Sequence, residues 1–214
     1  MKRPLLKVCC ISSVSEALLA IDKGADFLGL VGPMPSGPGI LSLEEIKAIV
    51  GVIPEDTKTI LLTSETDAEH IAASVKNLGV KAVQIVRELP IHVLSKVRGL
   101  LPDTIIFSVV HVIDESSIHT AKSYEGIADY ILLDSGKPSK GILGGTGAVH
   151  DWDYSKRIVR ELNIPVFLAG GLNPNNVKNA VDQVNPAGVD LCSGLRTNDK
   201  LDAEKLNAFV NNLP

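Results

Sequence analysis

Eight short apolar runs, separated by amphipathic stretches, recur from one end of this chain to the other. They are Leu5–Ile11, Phe27–Val31, Thr59–Leu62, Ala82–Val86, Ile105–Val110, Tyr130–Leu133, Pro165–Leu168 and Val189–Cys192. Each is rich in Val, Ile and Leu and nearly continuous, the pattern of strands covered on both faces of a parallel sheet. The segments between them carry helical spacing: Val14–Lys23, Ser42–Val50, Asp67–Leu78, Pro90–Leu101, Ser116–Tyr124, Trp152–Leu162, Pro174–Gln183 and Ala203–Asn212. In the second, Ser42 precedes the apolar run and Glu45 follows three residues on, the spacing of a capping box. In the seventh, Pro174 stands at a plausible first helical position. Eight strand-then-helix units in 214 residues predict a small (β/α)8 TIM barrel of the α/β class. A doubly wound open sheet is the competing arrangement, though it usually uses fewer strands. No linker or composition shift divides the chain, so residues 1–214 are read as a single domain.

A weak internal repeat supports the count. Gly24-Ala25-Asp26-Phe27-Leu28, Gly79-Val80-Lys81-Ala82-Val83 and Gly188-Val189-Asp190-Leu191 share one form, and Gly126-Ile127-Ala128-Asp129-Tyr130-Ile131 is a looser copy. In three of the four a helix ends at or just before the glycine and a strand follows, as an αβ turn requires.

Composition narrows the function classes. A net charge of −4 with 4% aromatic residues lacks the basic, aromatic-studded surface of a nucleic-acid binder. No apolar run approaches the roughly 20 residues of a bilayer span, and Lys7 interrupts the start of any signal-peptide core, so no membrane association is expected. Cys9, Cys10 and Cys192 are odd in number and two are adjacent. A disulfide framework is therefore not expected, and a cytoplasmic location is the default. The vicinal cysteines lack Cys-x-x-Cys spacing and no histidine cluster accompanies them, so no metal site is expected.

A barrel of this type gathers its chemistry at the C-terminal ends of its strands. Three glycine-bearing loops fall there: Gly144-Gly145-Thr146-Gly147, Ala169-Gly170-Gly171-Leu172-Asn173 and Cys192-Ser193-Gly194-Leu195. Glycine lets backbone N–H groups approach an anion closely, so three such loops in succession point to a phosphorylated ligand. A single glycine pair would be read as a turn. Alternation along the first strand puts Leu5, Lys7 and Cys9 on one face and Leu6, Val8 and Cys10 on the other. The apolar set suits the helix-facing side. Cys10 is therefore read as a packed small hydrophobe, and Cys9 as the functional thiol at the barrel mouth. Asp134 ends Tyr130-Ile131-Leu132-Leu133, a carboxylate at the mouth of an otherwise apolar strand. A thiol and a carboxylate across a phosphosugar site can serve as base and acid, and Lys7 is placed to favour the thiolate.

Lys7-Val8-Cys9-Cys10-Ile11-Ser12, Gly24-Ala25-Asp26, Leu28-Gly29-Leu30, Ala82-Val83-Gln84-Ile85 and Leu132-Leu133-Asp134-Ser135 resemble the phosphoribosylanthranilate isomerase family of tryptophan biosynthesis. So do Gly144-Gly145-Thr146-Gly147 with Asp151-Trp152, Ala169 through Val177, and Val189 through Gly194. The resemblance covers essentially the whole chain. It implies a (β/α)8 barrel that performs an Amadori rearrangement of N-(5-phosphoribosyl)anthranilate without metal or organic cofactor. It also implies Asp134 as general acid, Cys9 as general base, and Gly145, Gly170, Gly171, Ser193 and Gly194 around the 5′-phosphate. The partner implied is a small phosphorylated sugar, bound by a monomer or homodimer.

The chain departs from that pattern at one end of the site. Gly39 stands where the family has an Arg for the substrate carboxylate, and glycine cannot make a bidentate ion pair. Val86 and Arg87 stand at the family's Gln-Leu-His-Gly histidine, Cys10 replaces a Gly, and His150 a Phe. Arg87 and His111 are the candidates for a replacement carboxylate contact. They also admit blander roles, as a solvated ion pair with Glu88 and as a satisfied polar residue. Two further readings follow: a related phosphosugar isomerase with a non-anthranilate substrate, and a non-catalytic phosphate-ligand binder.

Overall fold

The computed structural model describes residues 3–135 and 150–214. The elements alternate as β1 (Leu5–Val8), α1 (Val14–Asp22), β2 (Phe27–Val31), α2 (Leu43–Val50), β3 (Lys58–Thr63), α3 (Ala68–Leu78), β4 (Ala82–Ile85) and α4 (Ile91–Leu100). They continue as β5 (Ile105–His111), α5 (Ser116–Ser123), β6 (Tyr130–Asp134), α6 (Trp152–Glu161), β7 (Val166–Leu168), α7 (Val177–Val184), β8 (Gly188–Leu191) and α8 (Ala203–Asn212). Strands β1 to β8 pair in sequence order and β8 closes back on β1. The β1–β8 ladder is parallel, with Lys7 opposite Asp190 and Val8 opposite Leu191. That closure removes every sheet edge and excludes the open-sheet arrangement.

The local signals behave as their chemistry dictates. Ser42 Oγ accepts the Glu45 N–H at 3.2 Å and Glu45 Oε2 accepts the Ser42 N–H at 2.8 Å, completing the capping box ahead of α2. Pro174 lies in a turn instead of opening α7, which begins at Val177. The Asn173 N–H donates to Asn176 Oδ1 at 2.8 Å, and the Asn175 N–H donates to Asn173 Oδ1 at 2.9 Å. Side-chain acceptors here satisfy the backbone before the helix can.

Two apolar layers result. Leu6 and Val8 join the layer between strands and helices, as alternation requires. Inside the barrel, Phe27, Phe107, Phe167 and Tyr130 pack edge-on or stacked, with ring centroids 4.6 to 6.0 Å apart. These four are half of the chain's aromatic residues, so half of the aromatic content is committed to the barrel interior.

Candidate active site

Strand β1 delivers Lys7 to the barrel interior, fully buried, where its Nζ donates to Asp190 Oδ1 on β8 at 2.8 Å. An ion pair this deep is tolerated because each charge neutralises the other. Cys9 is two residues further along the same face, also buried and with a free thiol. Gly29 of β2 leaves room for it: a Cβ there would stand 2.9 Å from Cys9 Sγ. Asp134 closes β6 at the same end, 8% exposed, with Oδ1 accepting the Ser135 N–H at 2.8 Å.

The four groups form one electrostatic cluster. Burial pushes the Cys9 thiol up to about 11, a rise that the Lys7 ammonium opposes and the Asp190 carboxylate reinforces. Burial likewise pushes Asp134 up to about 6; the Ser135 N–H opposes this, the Asp190 charge adds to it, and Lys7 opposes it. Cys9 and Asp134 thus each feel both members of the Lys7–Asp190 pair. Asp134 keeps a proton to give at mildly acidic pH, and a thiolate formed at Cys9 is a strong base.

The phosphate-loop candidates sit beside this cluster. Gly170 and Gly171 follow β7 with φ of +82° and +65°. Ser193 and Gly194 form a short 3-10 helix, Ser193–Leu195, after β8. Gly194 lies against Leu172, so the two loops share a wall with no space for a side chain. The backbone N–H groups of Gly170, Gly171, Ser193 and Gly194 meet no acceptor among the described residues. Gly145 and the rest of its loop lie outside the described residues.

The far side of the mouth differs. His111 ends β5 directly opposite Asp134 in the parallel ladder. It is 6% exposed, and burial depresses its basicity, an effect that a backbone contact with Val86 opposes. Arg87 is exposed in the bend after β4. Gly39 takes φ +68°, and a Cβ at this position would stand 2.9 Å from Cys10 Cβ. His150 is committed elsewhere, its Nε2 2.6 Å from Ser155 Oγ at the start of α6.

Two features escape the strand-alternation reading. Cys10 is no helix-facing hydrophobe: with φ +60° it leaves the strand conformation, ending β1 at Val8, and it is disulfide-bonded to Cys192. One disulfide is thus present in a chain for which no disulfide framework is expected. Asp190, present in the sequence only as part of the Gly188-Val189-Asp190-Leu191 repeat, stands opposite Lys7 in the ladder.

Residues 6–212 match the family described as N-(5'-phosphoribosyl)anthranilate (PRA) isomerase. The chain belongs to the PRA isomerase family. It is 37% identical over 207 residues to N-(5'-phosphoribosyl)anthranilate isomerase 2 of Methanosarcina mazei, covering 96% of this chain and 92% of that protein. It is 30% identical to the isomerase of Methanocella arvoryzae over 96% of this chain and 95% of that one. Among solved structures, the isomerase of Thermotoga maritima superposes with a TM-score of 0.85 at 27% identity, over 98% of each chain. A PRA isomerase in complex with reduced 1-(o-carboxyphenylamino)-1-deoxyribulose 5-phosphate superposes with a TM-score of 0.82 at 26% identity, again over 98% of each. Among the described residues, no helix of this family member is long and apolar enough to cross a membrane, and no group of three or more His, Cys, Asp or Glu could hold a metal ion.

Proposed function

We propose that this chain is a cytoplasmic, single-domain isomerase of tryptophan biosynthesis. Its reaction converts N-(5-phosphoribosyl)anthranilate to 1-(2-carboxyphenylamino)-1-deoxyribulose 5-phosphate. The observation that carries the reading is the convergence of Cys9, Asp134 and the Lys7–Asp190 pair at one barrel mouth, beside four backbone N–H groups that meet no acceptor among the described residues. Those N–H groups, with Gly145, hold the 5′-phosphate. Asp134 gives its proton to the ribose ring oxygen; the C1′–O bond breaks as the anilino nitrogen forms an iminium with C1′. The Cys9 thiolate then removes the C2′ proton, whose electron pair neutralises the iminium and leaves an enaminol. Moving a proton from the C2′ hydroxyl to C1′ yields the ketone. The reaction is an internal redistribution of hydrogen, so it consumes no oxidant or reductant. A monomer and a homodimer both suit this chemistry; the Thermotoga maritima relative is described as dimeric.

Purified protein given authentic N-(5-phosphoribosyl)anthranilate is expected to consume its fluorescence with turnover, and the gene to rescue a tryptophan auxotroph lacking the isomerase. Absence of both overturns the reading. The reactive form carries a proton on Asp134 and none on Cys9, the same net charge as the resting form with the proton reversed. Accordingly kcat/KM is expected to be level between pH about 6 and about 11, falling about tenfold per unit below that window. A pH–rate profile checks this.

His111 takes the substrate carboxylate in place of the absent Arg. Its buried imidazole lies beside Asp134 in the ladder at the end of β5, whereas Arg87 is exposed to water. His111→Ala is expected to raise KM about tenfold with kcat nearly unchanged, the loss of one charge-assisted hydrogen bond; steady-state kinetics checks it. A second reading rests on Gly39, whose packing on Cys10 leaves no room for any side chain: a phosphosugar lacking the carboxylate. Competition by phosphorylated aminosugars but not by anthranilate analogues would favour it.

A further inference from the structure

Cys10 and Cys192 bring together facts that the isomerase chemistry does not use. Among the described residues, four non-glycine residues have positive φ: Cys10, Asn185, Asn198 and Asp199. Asn and Asp tolerate that region through local side-chain hydrogen bonds, whereas Cys has no such compensation. Something must hold Cys10 there, and the disulfide to Cys192 does so, across 182 residues of sequence with Cα atoms 5.8 Å apart. The bond joins two functional neighbours. Cys10 follows the base Cys9, and Cys192 precedes Ser193 of the phosphate loop. It also backs the loop after β2, since Gly39 packs on Cys10.

We propose that Cys10 and Cys192 form a reversible redox site that locks the phosphate loop after β8 onto the end of the base-bearing strand β1, with a dithiol as its reductant. Cys192 is partly exposed and Cys10 buried, so an incoming thiolate attacks the Cys192 sulfur. A mixed disulfide forms, the Cys10–Cys192 bond breaks, and Cys10 departs as a thiolate that takes up a proton. The second thiol of the reductant then attacks the mixed disulfide, releasing Cys192 as a thiol and leaving the reductant as a cyclic disulfide. Two electrons and two protons enter the protein. Cys9 stays outside this exchange because it is buried and its thiol resists ionisation. In a cytoplasm, disulfides of this kind are characteristically redox-sensing.

Reduction leaves a second tie in place. Arg196 donates to the Cys10 carbonyl and pairs with Glu16 at 3.0 Å, while Glu16 accepts the N–H groups of Ser12 and Leu201, each at 2.9 Å. The barrel therefore stays closed when the lock opens, and the effect is confined to the order of the Ser193–Leu195 turn. The bonded form is the one with the phosphate loop pre-organised, so it is the tighter binder.

This inference rests on the phosphate-site reading above, and the test separates the two. Protein equilibrated with glutathione disulfide should show one titratable thiol after denaturation, and protein treated with dithiothreitol three. Calorimetric titration with inorganic phosphate should give a Kd about fivefold weaker after reduction. Cys192→Ser, and separately Cys10→Gly, which suits the positive φ, should bind phosphate with the weaker affinity under both conditions. Three thiols under oxidising conditions, equal phosphate affinity in both states, or phosphate binding in neither state each overturn the lock. Redox-dependent phosphate affinity without isomerase turnover would uphold the lock and overturn the activity.

Discussion

Asp134→Asn is expected to lower kcat by about 10²- to 10⁴-fold, the range for removing a positioned general acid, while making the protein harder to unfold. Both effects come from one cause. Asp134 ends a strand inside the barrel, where burial holds its carboxyl at about 6, above the ordinary value of 3.8. Between those two values the native state retains a proton that the unfolded state has lost, so stability falls as pH rises through this window. At pH 7 the ionised carboxylate then costs up to about 3 kcal/mol, from about two units of displacement. An amide keeps the shape, accepts from the Ser135 N–H as before, and carries no charge. The variant should therefore melt several degrees higher than the parent at pH 7.5, and the advantage should vanish below pH about 4, where both carry no charge at this position. Thermal melts across pH beside a turnover assay measure it. Equal melting temperatures at pH 7.5 would mean that Asp134 is better solvated than its burial implies.

The framework of this site was legible because the barrel repeats one physical pattern. Continuous Val, Ile and Leu runs announced strands covered on both faces, and the ladder from β1 to β8 uses all eight. Period-two alternation placed Lys7 inward and Leu6 and Val8 outward, as found. The same rule failed at Cys10, two residues beyond Val8, because alternation holds only while the backbone stays extended; at φ +60° the side chain no longer follows it. The disulfide partner was illegible for a different reason: Cys10 and Cys192 are 182 residues apart, and only closure of β8 on β1 makes them neighbours. Asp190 lay in a motif noticed for its glycine, and its role appears only opposite Lys7. His111 was legible as a residue at the C-terminal end of its strand, but not its burial beside Asp134. The burial of an imidazole is a property of its surroundings, visible only in three dimensions.

Lys7→Met tests whether the pair beneath the site is structural, chemical or both. Lys7 and Asp190 are each 8% exposed or less, bonded at 2.8 Å. Removing one partner strands the other charge in the interior, a loss of about 3–5 kcal/mol, a large part of a domain's total stability. The single variant should unfold at markedly lower urea. Adding Asp190→Leu should recover most of that loss, because two matched apolar groups replace a costly pair without leaving a charge unpaired. Turnover should not recover with it. The Lys7 ammonium opposes the upward displacement of the Cys9 thiol, so without it the thiolate becomes scarcer, whatever the state of the fold. Thiolate absorbance should then titrate at higher pH in the double variant than in the parent, and alkylation of Cys9 at a fixed pH should slow. An unchanged thiol titration would remove Lys7 from the chemistry. Restored stability with restored turnover would make the pair a packing device alone. Restored stability without turnover separates the two roles, since a purely structural residue would leave the thiol untouched.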